Sequence, residues 1–338
     1  MGFLIQGPNR RGGNLQDKKI DETDNKLKST IFIRVKQLLS KWTSSNVFMS
    51  NNKAKAGLIL FLSFLSLGIV GGLISPYNPN GFLFGRNQPP SYSHLLGTTA
   101  YGQDVFSQLL TGAGPTLFVG LSVGLLATAV SITVGVFAGF SSERVSSIIN
   151  GIINVFLVIP GILVIMLLGT FMLGVNQSLG YFPMILILSV TGWAWGARTF
   201  RSQTLSIAKR DFILSSLLIG ESRLSIVFRQ IVRSIFPIII SNFFFTSIYG
   251  VMGLTFVEYL GIGNLLDVNW GTMLYWSINN EAYLTGLWWW ILPPSIMISL
   301  LMFSFILLNF GIDEVSNPSL RKYSSVKRKK SAVDNKNA

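Results

Sequence analysis

Six stretches of this chain, 56–75, 113–140, 148–173, 183–197, 237–257 and 288–311, contain no Asp, Glu, Lys, Arg or His. Most reach the roughly 20 residues that an α-helix needs to cross about 30 Å of hydrocarbon, and 180–182 can extend the short fourth run. Hydrocarbon offers no partner to a backbone N–H or C=O, so segments of this kind become helices. Charged residues are only 12% of the chain, about half of what a soluble domain carries. The expectation is an all-α integral membrane protein with six transmembrane helices.

The polar segments set its orientation. Of 27 Lys and Arg residues, 26 lie in 1–55, 141–147, 198–236 and 312–338, and Arg86 is the exception. With six spans these segments share one side. The positive-inside rule makes that side cytoplasmic, with both termini there, in a plasma or inner cell membrane. The net charge of +13 then reflects topology and contact with anionic lipid, and the basic run 327–330 implies no nucleic-acid partner. The chain has no cysteine, which excludes disulfides, zinc–thiolate clusters and thiol chemistry. Residues 1–55 are polar and long, and Lys53 and Lys55 precede the first run. That pattern reads as a retained span rather than a cleaved signal.

The chain divides into three regions. Residues 1–55 form a cytoplasmic N-terminal region, disordered over 1–30 and amphipathic over 31–49, "IFIRVKQLLSKWTSSNVFM", which suits a membrane surface. Residues 56–312 form the membrane domain, with an outer loop at 76–112 and an inner loop at 198–236. Residues 313–338 are a basic cytoplasmic tail. A second outer segment, 258–287, carries Glu258, Asp267 and Glu281 without a basic partner. Within the spans, Gly120 and Gly124, then Gly135 and Gly139, have the small-xxx-small spacing that lets helices approach closely. Pro160-Gly161 and Pro293-Pro294 predict kinks. The tryptophans 288–290 are placed at head-group level.

The inner loop is unlike a solvated linker. In "SLLIGESRLSIVFRQIVRSIF", 216–236, Leu224, Phe228, Ile231 and Ile235 form one helical stripe, with Arg229 and Arg233 opposite. Ser222 is a candidate N-cap, and Gly220 a candidate turn. Ile213, Leu214, Leu217 and Leu218 make a second, shorter stripe. This is helix, glycine turn, helix, with the second helix running through Pro237 into the fifth span. It fits either an interfacial anchor or an ordered knob that a partner grips.

Other chemistry is missing. No span holds an ionisable group of the kind that carries a coupling ion, and His94, the only histidine, sits in the outer loop. There is no GxxxxGK[ST] loop for ATP phosphates, and no acidic pair or Ser/His/Asp set inside the spans. No catalytic residue, metal or cofactor is expected, so the energy for any transport enters from another protein. A stand-alone ion-driven transporter or channel, with sodium held by backbone carbonyls, is the alternative; a structural scaffold is a third reading.

Three segments resemble the permease subunits of peptide/nickel-type ABC importers, on the DppC/OppC side of the pair. "HLLGTTAYGQDVFSQLLTGAGPTLFVGL" (94–121) is similar to that family's HxLGTDxxGRDVxSRLxxGxRxSLxVG. "RDFILSSLLIGESRLSIVFRQIVRSIFP" (210–237) resembles its EAA loop, and "YLGIGNLLDVNWGTML" (259–274) resembles FLGLG…SWGxML. "GIDEVSNPSLR" (311–321) is similar to the closing GLRDALDPRxR. Leu214, Ser215 and Ser216 stand where the family has the EAA glutamate and alanines, and Gly220 is kept. Gln230 replaces a histidine, Val232-Arg233 an LP pair, and Gln103 and Gln108 usual arginines. The resemblance implies a type I ABC importer-like permease that does no chemistry itself. It would pair with a second homologous permease, two ABC ATPase subunits and an external solute-binding protein, and would carry oligopeptide- or dipeptide-like solutes.

The implied coupling loop is 203–235, with Asp211, Leu214, Ser215, Ser216, Gly220, Glu221, Arg223 and Arg229 as candidate ATPase contacts. Binding-protein docking is implied at His94, Gly97, Thr98, Gly102, Asp104 and Trp270. Asn154, Asn242, Thr246 and Thr255 are candidate path residues, with plain helix packing as the alternative.

Overall fold

The computed structural model describes residues 51–174 and 180–316. The disorder expected over 1–30, the amphipathic segment 31–49 and the basic tail from 317 lie outside the described residues. Those described are helical, with no β-strand and one isolated bridge, Thr98 to Asp104. In chain order the helices are α1 (Asn52–Ile74), α2 (Val105–Phe140), α3 (Glu143–Val158), α4 (Gly161–Gly174) and α5 (Tyr181–Ala208). Then come α6 (Asp211–Leu218), α7 (Arg223–Ile226), a π-helical turn (Val227–Ile231), α8 (Val232–Tyr259), α9 (Trp270–Asn279) and α10 (Trp288–Ser316).

Four helices are long and apolar enough to cross a bilayer: α1, α2, the rod Arg223–Tyr259, and α10 over Trp288–Glu314. The third apolar run is broken at Pro160, where α3 and α4 meet at 67° and count as a fifth span if they cross as one. Proline removes an N–H and disfavours helical geometry at the residue before it; Ile159 has ψ 118°. The fourth expected run, 183–197, lies in α5, whose 28 residues suffice in length. Its hydropathy is diluted by Thr191, Gly192, Trp193, Gly196 and Arg198, so composition alone marks five spans rather than six. Helix α5 is shielded by its neighbours: Met184, Leu188, Ala194, Ala197 and Phe200 are fully or almost fully buried.

Helix α2 is the hub. Its glycines press closely on neighbouring helices, as their spacing predicts, and the two pairs meet different ones. A Cβ on Gly120 would run into Val251, and one on Gly124 into Ser247, both on α8. On Gly135 it would lie 2.6 Å from the Ala197 carbonyl, and on Gly139 2.5 Å from Thr204, both on α5. Two apolar cores result from this contact. One joins Val119 and Val123 to Ile165, Leu188, Leu254 and Val257 at mid-bundle. The other gathers Val136, Phe200, Ile207, Ile213, Ile226, Ile231 and Ile235 at the end of the bundle that carries the arginines.

Of the three tryptophans, Trp288 is exposed, but Trp289 and Trp290 are buried, and Trp289 Nε1 donates to the Thr98 carbonyl at 3.3 Å. Two of the three rings therefore pack into the bundle.

Candidate functional site

At the arginine-rich end, α6 closes in a Schellman motif. The Gly220 N–H donates to Leu217 O at 3.1 Å and the Glu221 N–H to Ser216 O at 3.0 Å. The motif requires a left-handed residue, and Gly220 has φ +85°. Ser222 then caps the next helix, accepting from the Ser225 N–H at 3.3 Å. So the helix, turn and cap stand where the residues placed them.

The stripe stands only in part. The π turn at Val227–Ile231 adds a residue to one turn and rotates the rest of the helix relative to it. Ile231 and Ile235 are buried as the stripe expects, but Ile226 joins them, while Leu224 is 71% and Phe228 69% exposed. In the second, shorter stripe only Ile213 is buried, and Leu218, with Ile219 beside it, is more than four-fifths exposed. The tip is thus an uncovered apolar patch, with Asp211, Leu214, Ser215, Gly220, Arg223 and Arg229 also on the surface. A patch of this kind on a well-formed element marks contact with a protein or a membrane.

Gln230 holds the two halves of the loop together. Its Nε2 donates to Ser216 Oγ at 2.8 Å and to Glu221 Oε2 at 2.9 Å, while Ser225 Oγ donates to Glu221 Oε1 at 2.6 Å. Sequence reasoning missed this role. Gln230 registers there only as a replacement for histidine, since its partners lie 9 and 14 residues away.

At the opposite end the motif residues are mostly inside. Asp104 caps α2, accepting from Ser107 N at 2.8 Å and Ser107 Oγ at 2.7 Å, and its other oxygen lies 2.9 Å from His94 Nδ1. His94, Thr98, Asp104 and Trp270 are at most 6% exposed. Gly97 and Gly102 are buried left-handed turns at φ +68° and +78°. Burial takes these side chains out of direct reach of a docked partner; they shape the segment that a partner would meet. Trp270 Nε1 donates to Leu109 O at 2.9 Å, pinning α9 across α2. Gln108 donates to Pro79 O at 3.1 Å and to Gln103 Oε1 at 3.0 Å, so the glutamines that replace arginines form an amide network.

Helix α8 runs one turn beyond the apolar stretch and buries Glu258 completely in its last turn. Its Oε1 accepts from Asn269 Nδ2 at 3.2 Å, and Asn269 in turn caps α9 through Gly271 N and Thr272 N. Glycines at 263 and 271 leave room for the carboxyl group.

Among the path candidates, Asn242 donates to Thr128 at 2.9 Å, and Thr246 lies 3.0 Å from the same hydroxyl. Thr255 bonds its own helix at Val251 O. Only Asn154 is exposed. The first two join α2 to α8, which is the packing role.

Comparison with known proteins agrees with this geometry. The family model described as "Binding-protein-dependent transport system inner membrane component" matches residues 131–322. That span is more than half of the chain. The chain belongs to this family. It is 31% identical over 274 residues to the dipeptide transport system permease protein DppC of Bacillus subtilis, covering 80% of this chain and 83% of that one. To the oligopeptide transport system permease protein OppC of the same organism it is 28% identical over 290 residues, 85% and 92% of the two chains. A chain from the inward-facing MetNI methionine ABC transporter shares the fold, with a TM-score of 0.50 at 20% identity. That match covers 62% of this permease and 94% of that chain. The protein is thus a multi-pass membrane permease component with a type I ABC importer-like fold.

Proposed function

We propose that this permease is the translocating subunit of an ATP-driven importer for short peptides, delivered by an external binding protein and powered by separate ATPase subunits. The observation that carries it is the tip at 211–229: an exposed apolar knob, held by Gln230, on a rod that continues from Arg223 to Tyr259. A lipid anchor would need neither the clamp nor the rod. A partner that moves the knob moves the far end of α8, where Glu258 holds Asn269. Bistable coupling of this sort is how nucleotide-driven closure reaches a distant site.

In this reading both termini and 198–236 face the cytoplasm, 56–312 is the translocating body and 313–338 a tail. Asp211, Leu214, Ser215, Gly220, Arg223 and Arg229 meet the ATPase, and Ser216 and Glu221 hold the knob through Gln230. A second homologous permease completes the path, which Asn154 could line. Docking of the binding protein falls on the exposed parts of 76–112 and 258–287, which the buried His94, Thr98, Asp104 and Trp270 support from within. Dipeptide and oligopeptide permeases among the relatives support the solute class.

The test is a mild-detergent pull-down of the tagged chain with an ATPase assay on the eluate. Recovery of a second permease and Walker-A subunits, with hydrolysis stimulated by the binding protein, is expected. A chain that purifies alone and moves solute on an ion gradient would overturn the reading.

A further inference from the structure

Between the segment before α2 and the segment around α9 lies a cavity of about 490 Å³. Three aromatic rings wall it: Phe82 meets Tyr101 edge to face with centroids 6.3 Å apart, and Tyr101 meets Trp276 at 5.5 Å. Two of the rings are held by hydrogen bonds. Trp276 Nε1 donates to Leu265 O at 3.1 Å, and the Tyr101 hydroxyl accepts from Asn280 Nδ2 at 3.2 Å. Gln103 and Gln108 line the cavity too, and Asp267 is the only charged side chain that does. Its carbonyl accepts from Thr272 Oγ1, while its carboxylate has no hydrogen bond or ion pair among the described residues.

Aromatic faces and a free carboxylate attract the same kind of ligand, a cation. A primary ammonium offers three donors and no acceptor, which suits a carboxylate beside amide oxygens. The volume falls within the range of small-molecule sites, whereas one lysine side chain from a docked protein would leave most of it empty. We infer that this cavity takes a small solute by its free ammonium group, with Asp267 binding the charge and Tyr101 and Trp276 flanking it. The inference rests on the importer reading for its biological use, but the binding itself does not.

The test is calorimetric titration of the full chain in nanodiscs with trialanine and with N-acetyl-trialanine. Asp267→Asn, nearly isosteric, is the variant. Trialanine is expected to bind, with acetylation weakening it about tenfold, the scale of one cation–aromatic contact plus a partly screened charge pair. Asp267→Asn should erase the difference between the two probes. Failure of wild type to bind, equal binding of both probes, or unchanged discrimination in the variant overturns the inference. In the assembled complex, loss of binding-protein-stimulated ATPase in Asp267→Asn with every solute, acetylated or not, would make the cavity a protein-docking pocket and also overturn the inference. Absence of ATPase partners would sink the importer reading alone, because the titration on the chain still reads the cavity.

Discussion

At Gly220 the backbone sits at φ +85° with open space where a Cβ would be. A side chain there meets no neighbour in this chain, so its cost is conformational, about 1–2 kcal/mol for an L-residue in the left-handed region. Asparagine tolerates that region better than a β-branched residue. Gly220→Val is expected to insert normally but to uncouple ATP hydrolysis from uptake, and Gly220→Asn to keep a measurable part of the coupling. Paired ATPase and uptake assays on reconstituted complexes check this. Full coupling in Gly220→Val would remove the knob from the mechanism. A second residue-scale prediction concerns Asp104, whose carboxylate serves Ser107 and His94 at once. Asp104→Ala strips an N-cap and leaves buried polar groups unpaired, each about 1–3 kcal/mol. The thermal midpoint in detergent should drop by several degrees, while Glu281→Ala, at an exposed site, should leave it in place.

On the scale of the element, the inner loop shows what a sequence can and cannot disclose. Gly220, Ser222 and the helix on either side were legible, because turns and caps are written in local residue types. The π turn was not, since nothing in "VFRQI" distinguishes it from an α turn. One inserted residue then left Leu224 and Phe228 exposed and put Ile226 in line with the expected Ile231 and Ile235. Long-range polar partners were equally hidden: Gln230 to Ser216, Asn269 to Glu258 and His94 to Asp104 all depend on tertiary approach. The clamp gives the third prediction. Gln230→Leu keeps the helix and removes both hydrogen bonds to Ser216 and Glu221. Hydrogen exchange over 211–221 should accelerate, with exchange in α2 unchanged. Stimulated ATPase activity should fall before uptake of solute is lost. Unaltered exchange at 211–221 would show that burial of Ile213 alone orders the knob.

Across the whole molecule, the number of apolar runs and the glycine spacing were enough to give the bundle, because helix contact in lipid depends on how closely backbones approach. What they could not give was which helix each glycine meets, since α2 turns one pair toward α8 and the next toward α5. That division makes the last prediction specific. A Cβ on Gly135 would stand 2.6 Å from a backbone carbonyl, that of Ala197, which no rotamer change relieves, whereas one on Gly151 meets nothing within 4 Å. Gly135→Leu must push α5 from α2, and overpacking of this kind costs about 1–3 kcal/mol or more. Gly151→Leu, on the exposed face of α3, costs the isolated chain nothing by packing. Both variants should insert, as both remain apolar. Heated size-exclusion of the detergent-solubilised chain should then show Gly135→Leu losing its monodisperse peak several degrees below wild type, with Gly151→Leu unchanged. Equal losses would mean that the added bulk acts through something other than the α2–α5 contact, because leucine favours a helix more than glycine does. A loss confined to Gly135→Leu would place the α2–α5 seam at the centre of the bundle through which the knob drives the far end.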